Sequence, residues 1–292
     1  MSRIVSLVPN GTEILFALGA GDDVVGRSHE CDFPPAAQGL PILTGSALSP
    51  ALAPAEIDAA VSAQVGGGLS LYTLDEALIA RLAPDLIVTQ ELCPVCAVSS
   101  DQVDEAVRPL PRCPDVLSLD PHVLDDVFAD IRAVGERVGR AAEAAALCAR
   151  LSARLDRVRR AAGERARPRV LALEWLEPPF AGGHWVPEMI EWAGGIDVAA
   201  RPGDRSRRLD WPEVAALDPD LIVVMPCGFD EAGARAQVDR LAGHPEWTSL
   251  RAVKTGRVHP VDANGCFSRP GPRLVDGIER LAEIFAGSAE SL

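Results

Sequence analysis

The sequence predicts an α/β protein of two lobes with mainly parallel sheets, joined by a long bridging helix. Three observations carry this reading. Short β-branched strands alternate with amphipathic helices in both halves of the chain. A proline-free stretch rich in Ala and Arg, residues 122–163, separates the halves. Each half also contains a helix, a Pro-Asp turn and a buried strand in succession, LDEALIARLAPDLIVTQ and WPEVAALDPDLIVVMP. Strands alternating with helices at this spacing favour parallel βα units over a sandwich or bundle.

RIVSLV (3–8) is a short apolar strand that stops at Pro9-Asn10-Gly11. TEILFALGAG (12–21) has helical spacing, with Thr12 as the expected N-cap and Gly19 or Gly21 as the stop. VVGRS (24–28) is the next strand, TLDEALIARLAP (73–84) an amphipathic helix, DLIVTQ (85–90) a strand and VLSLD (116–120) another. Residues 122–163 read as one or two helices, with a bend expected near Gly135–Gly139. RVLALEW (169–175) restarts the pattern, followed by helices over 186–195 and 211–219 and strands over 220–226 and 257–262. A closing helix covers 272–287. The expected boundaries are 1–121 for the first Rossmann-like lobe, 122–166 for the bridge and 167–292 for the second lobe.

The chain has 292 residues, 48% hydrophobic, and a formal charge of −14. That charge argues against nucleic acid, where Lys and Arg supply most of the affinity, and against an anionic membrane surface. No apolar run reaches the roughly 18 residues of a membrane span. MSRIVSLVPNGTEIL shows no signal-peptide pattern, so the chain as given is expected in the cytoplasm, or in the periplasm or another extracytoplasmic space if a leader has been removed. Seven scattered cysteines do not form a secreted disulfide framework. The one basic cluster, RPGDRSRR (201–208), reads as a flexible surface loop or a tether for an anionic tail.

In open α/β sheets, ligands bind beyond the carboxyl ends of the strands. In the first half those ends carry Pro9 and Asn10, then His29, Glu30 and Cys31, then Glu91 and Cys93. In the second half they carry Trp175, Phe180, Gly183, His184 and Trp185, then Cys227, then Cys266, Phe267 and Arg269. Aromatics make up only 4% of the chain, yet they gather here with thiols and imidazoles, as in a ligand pocket. Trp192 and Trp247 are expected to pack helices instead. The pair Cys93-Pro-Val-Cys96 fits three roles: a pocket wall, half of a metal clip completed by Cys31 and His29, or a redox pair. Dinucleotide, P-loop, GxSxG and HExxH fingerprints are all missing from the sequence, so no catalytic constellation is expected.

RIVSLVPNGTEILFALGAGDDVVGRSHECDFPP, LAPDLIVTQ, FAGGHWVPEMIEWAGG, LDPDLIVV and SRPGPRLVDGIERLAEIF occur in that order over nearly the whole chain. This ordered set resembles the helical-backbone (class III) substrate-binding proteins of ABC importers for cobalamin and iron–siderophores, and the opening resembles the cobalamin-binding branch. The resemblance implies a monomer that holds a corrinoid such as cobalamin in a cleft between the lobes, without catalysis. It also implies docking on an ABC permease through one acid per lobe, at Glu213 in the second and at Asp75 or Glu76 in the first. The alternative is a cytoplasmic metal-binding or thiol-redox protein holding zinc or iron with Cys93, Cys96, Cys31 and His29.

Overall fold

A computed structural model of the chain describes residues 2–48, 52, 54–66, 70–90, 98, 100–163 and 166–289. They divide into two units: 1–121 with 125–149, and 122–124 with 150–292. In chain order the first comprises β1 (Ile4–Ser6), α1 (Pro9–Ala17), β2 (Val24–Arg27), β3 (Thr44–Ser46), α2 (Pro54–Gly66), β4 (Tyr72–Leu74), α3 (Glu76–Leu82), β5 (Leu86–Gln90), α4 (Ser100–Val107), β6 (Asp115–Leu119) and α5 (Leu124–Arg137). Its main sheet runs β2-β1-β5-β6, all parallel, while β3 and β4 form a separate antiparallel pair. β5, sequence LIVTQ, is buried along its whole length, as expected of an inner parallel strand covered on both faces. Val5 and Ile87 pack with Leu7, Leu43, Ile79 and Val103 in the core of this unit.

α1 begins earlier than the sequence suggests. Pro9 occupies its first turn and Val8, in extended conformation, its N-cap. Pro is preorganised for that position because its missing N–H would have no helical partner there. Thr12 therefore lies inside the helix and caps nothing: its hydroxyl donates to Ser6 Oγ at 2.9 Å and reaches the Val8 carbonyl at 3.3 Å. The helical stretch after β6 is two helices, α5 and α6 (Ala141–Ala162). They part at Gly139, whose φ of 68° suits a residue without Cβ, and Arg140 N–H donates back to the Gly135 carbonyl at 2.6 Å. The boundary between the units falls within α6.

The second unit continues with β7 (Arg169–Leu176), β8 (Pro179–Ala181), α7 (Val186–Trp192), β9 (Ile196–Asp197), β10 (Arg207–Arg208), α8 (Trp211–Leu217), β11 (Leu221–Val224), α9 (Glu231–Arg240), α10 (Pro245–Ser249), α11 (Arg251–Lys254), β12 (Val258–Pro260), α12 (Ala263–Cys266) and α13 (Leu274–Ala289). β7, β11 and β12 are parallel neighbours, and β8 and β10 extend the sheet antiparallel. Leu171, Leu173, Ile222 and Val224 form its core with Trp247, which packs as expected. The Arg159 guanidinium lies 4.4 Å from the centre of the Trp192 ring, joining α6 to α7. The basic cluster is partly ordered as an edge strand: Arg207 and Arg208 pair with Ala181 and Phe180. A strand needs only backbone partners, so its charged side chains concealed it in the sequence. Among the described residues, no helix is long and apolar enough to cross a membrane.

Candidate ligand-binding site

In the first unit the carboxyl ends of β1 and β2 lie side by side in a parallel pair. Gly11 lets α1 settle onto β5, since a Cβ there would stand 2.7 Å from Val88 Cγ1. Pro9 is half-buried at the helix start, and Asn10 is only 1% exposed, its Nδ2 without a partner among the described residues. A buried donor without an acceptor is costly and marks a place where an acceptor would be welcome.

The loop after β2 is held by a network of hydroxyls. His29 N–H donates to Thr44 Oγ1 at 3.0 Å, His29 Nδ1 lies 2.6 Å from the same oxygen, and Thr44 Oγ1 donates to Ser28 Oγ at 3.1 Å. Ser28 Oγ also accepts Glu30 N–H at 3.2 Å. Buried Arg27 secures the loop from below, donating to the carbonyls of Ser28 at 3.0 Å and Gln38 at 3.1 Å. Glu30 is exposed, with Oε1 3.7 Å from His29 Nε2. Cys31 is 0% exposed and its sulfur lies 3.8 Å from the Ser6 carbonyl oxygen, so its thiol faces the interior rather than a ligand. Glu91, Cys93 and Cys96 lie outside the described residues.

In the second unit the β7–β8 turn brings Trp175 opposite Phe180. The Trp175 ring sits 6.2 Å from Phe229, in the turn after β11, and the Arg208 guanidinium lies 5.6 Å from the centre of the Phe180 ring. All three rings are half-buried and present partial faces. Phe229 directly follows Cys227-Gly228 at a strand end that the sequence marks as part of the candidate site. Cys227 itself is exposed.

Gly183 is required by contact: a Cβ there would stand 2.3 Å from Ser206 N and 2.6 Å from Asp204 O. His184 follows in left-handed conformation, φ 53°. Its N–H donates to Asp204 O at 2.6 Å, and its carbonyl accepts Gly203 N–H at 2.9 Å. The His184 ring lies 6.0 Å from His122 and 5.6 Å from Trp185.

Trp185 is 5% exposed and donates Nε1–H to the Phe267 carbonyl at 2.7 Å. Phe267 is 2% exposed, so its ring serves the core and offers little face for stacking. Arg269 is buried at 7% exposure and Cys266 is half-buried. Of the residues picked from sequence in this unit, Trp175, Phe180 and His184 are half-buried, whereas Trp185 and Phe267 are buried.

Glu76 sits in the first turn of α3, whose N-cap Asp75 accepts Leu78 N–H. Glu213 sits in the first turn of α8, where N-cap Asp210 accepts its N–H at 2.7 Å and Arg207 Nη1 pairs with its carboxylate at 2.8 Å. Among the described residues, no group of three or more His, Cys, Asp or Glu is placed to hold a metal ion.

Two α/β sheets, each built on a parallel set of strands, with aromatic and polar loops at their strand ends and a helix running from one unit into the other, define a protein that binds a solute. The chain belongs to the periplasmic binding protein family, whose model matches residues 4–264. It is 26% identical over 289 residues to the uncharacterized ABC transporter substrate-binding lipoprotein YvrC of Bacillus subtilis (strain 168), covering 96% of this chain and 79% of that one. It is similar in structure to the periplasmic heme-binding protein RhuT from Roseiflexus sp. RS-1, with a TM-score of 0.75, 25% identity and 99% of each chain covered. It is also similar to the periplasmic vitamin B12 binding protein BtuF of Vibrio cholerae, with a TM-score of 0.72 and 20% identity, covering 98% of this chain and 97% of that one. The family is one of non-catalytic substrate-binding proteins of ABC transporters, which favours cargo binding over the thiol-redox alternative.

Proposed function

We propose that this chain carries a corrinoid such as cobalamin to an ABC importer and releases it chemically unchanged. The observation that carries the proposal is the half-open aromatic group Trp175, Phe180 and Phe229 at the carboxyl ends of β7 and β11. Broad apolar faces with few polar groups suit a flat macrocycle, whose burial supplies affinity while hydrogen bonds to its edge set orientation. Similarity to a vitamin B12 binding protein and a heme-binding protein supports a metal–tetrapyrrole chelate as cargo. Similarity to a substrate-binding lipoprotein supports work outside the cytoplasm beside a membrane permease, with Glu213 and Glu76 as candidate docking acids.

The test is a titration of reduced, metal-free protein with hydroxocobalamin and, separately, with hemin, following tryptophan fluorescence. Saturable quenching by hydroxocobalamin at one site per chain, weakened at least tenfold by Trp175→Ala, is expected. Saturation by hemin alone would replace the corrinoid with a haem as cargo. No saturation by either chelate would refute the proposal.

A further inference from the structure

The second unit contains a hollow at the opposite end of its sheet from the aromatic loops. Its volume is about 400 Å³, within the range of small-molecule sites. Pro168, one residue before β7, lines it, whereas Trp175 lies roughly 23 Å further along that strand. The walls are Ala161 and Ala162 of α6, Ala193 and Gly194 after α7, and Ala282 and Ala286 of α13. Val158 and Phe285 add larger apolar surface. Methyl groups where two helices face each other leave space that longer side chains would fill. Gly194, at φ 93°, brings the turn after α7 against α6: a Cβ there would stand 2.9 Å from Ala162 Cβ. Arg167 ties that turn to the segment before β7, donating Nε–H to the Gly195 carbonyl at 3.1 Å.

Three charged residues stand on the lining, and they are not equivalent. Glu279 is held by Arg154, whose Nε and Nη2 donate at 2.9 and 2.6 Å, and Glu283 by Arg280 at 3.1 Å. Arg157 pairs with no carboxylate among the described residues, and its guanidinium makes only a long hydrogen bond, 3.4 Å, to the Ala153 carbonyl of its own helix. It belongs to a stretch of α6, residues 150–162, with five arginines and one acid, Asp156, in a chain of formal charge −14. Cations in the last turn of a helix complement its dipole, but Arg157 lies more than a turn from the end, where that effect has faded. An apolar hollow with one uncommitted cation at its edge suits a molecule with an apolar tail and an anionic head.

We propose that this hollow is a second binding site, which takes a free single-chain amphiphile with a carboxylate head, a medium-chain fatty acid. The tail lies among the alanines against Phe285, and the carboxylate pairs with the Arg157 guanidinium. The volume holds roughly a dozen groups the size of a water or a methylene, at ~30 Å³ each, which sets the tail at about ten carbons. The overall charge of −14 opposes an anionic bilayer, so the occupant is a free chain rather than one embedded in a membrane. The site does not depend on the cargo reading, because the cargo loops lie at the other end of the sheet.

Calorimetric titration of the full chain compares decanoate with decanol, which has the same tail without the charge, and with decyltrimethylammonium, which reverses the charge. Decanoate should saturate at one per chain, with decanol weaker by about tenfold, the scale of a charge-assisted hydrogen bond, and decyltrimethylammonium weaker still. Arg157→Gln should lower decanoate affinity by the same factor and leave decanol unchanged. Ala286→Leu fills the hollow and should abolish binding of both, with the circular dichroism spectrum unaltered. No saturation by decanoate below about 1 mM would overturn the proposal. So would undiminished binding by Ala286→Leu, displacement of decanoate by hydroxocobalamin, or association with phosphatidylglycerol vesicles but not with decanoate. Failure of the cargo titration leaves this site standing, since decanoate binding is read without cargo.

Discussion

Asp220 repeats in the second unit the contacts that Asp85 makes in the first. Asp85 Oδ2 accepts the backbone N–H of Arg3 at 3.0 Å, and Asp220 Oδ2 accepts that of Arg169 at 2.8 Å. The other oxygen of each pairs at 3.0 Å with an arginine further along the chain, Arg112 and Arg251 respectively. Arg3 and Arg169 in turn donate to the carbonyls of Leu82 and Leu217, at the ends of α3 and α8. Each helix ends in a left-handed non-glycine residue, Ala83 or Asp218, before the Pro-Asp turn. Shared βα rules do not demand matching side-chain contacts, so this correspondence favours internal duplication. In its register Glu213 corresponds to Leu78 and Glu76 to Trp211, so the two candidate docking acids occupy unequal positions.

Asp85→Ala and Asp220→Ala should each destabilise the chain by about 1 kcal/mol, the scale of a carboxylate hydrogen bond to backbone at a partly exposed site. Urea unfolding measures this. The effect should persist in high salt, because the lost contact is to a backbone N–H rather than to an exposed arginine.

Arg154 joins α6 to α13, donating to Glu279 through Nε at 2.9 Å and Nη2 at 2.6 Å, and to Asp276. The guanidinium holds the Glu279 carboxyl below its ordinary range. A depressed carboxylate contributes stability above its unfolded pKa and loses it as pH falls through the folded value. Arg154→Ala should therefore lower the melting temperature at pH 7, by about 1 kcal/mol in stability, with a smaller loss in acid. Arg154→Lys should restore little, because a single ammonium does not reproduce the two-pronged contact.

Asp130 on α5 behaves in the opposite sense. Burial, with Asp126 and then Asp120 adding like charge, raises its carboxyl to about 7. Among the described residues its Oδ2 has no hydrogen-bond partner. A carboxyl raised in the folded state contributes stability below its unfolded value of 3.8, and loses it as pH rises through about 7. Asp130→Asn should thus stabilise the chain at pH 8 by on the order of 1 kcal/mol, after discounting for solvent screening, and change little at pH 4. Thermal melts across that range measure the slope.

Gly183→Ala should cost more than a surface change, because its Cβ would meet the backbone of Asp204, Arg205 and Ser206. Overpacking of this kind costs about 1–3 kcal/mol. It should also separate β10 from β8 and move Phe180 and His184, so cargo affinity should fall by tenfold or more in protein that remains folded by circular dichroism.

The parallel strands were legible because β-branched runs such as DLIVTQ and DLIVVMP are bounded by Pro and polar turns, and β5 and β11 fall within them. The pair β3–β4 was not, since each strand has three residues and they lie far apart in sequence. β10 escaped for a related reason, as two arginines carry no strand periodicity. At the candidate site, strand-end position picked out Trp175, Phe180 and His29 as candidates. It did not separate half-open rings from Trp185 and Phe267, because burial depends on packing partners distant in sequence. Thr44, which orients His29, lies outside every motif and is visible only once the chain is folded.

The measurement that tests the central claim most directly is calorimetric titration of hydroxocobalamin into the purified chain, followed by recovery and mass analysis of the bound molecule. The account predicts saturation at one corrinoid per chain and recovery of the ligand unchanged. Absence of heat and of retained corrinoid at micromolar protein, or recovery of a chemically altered ligand, would contradict it.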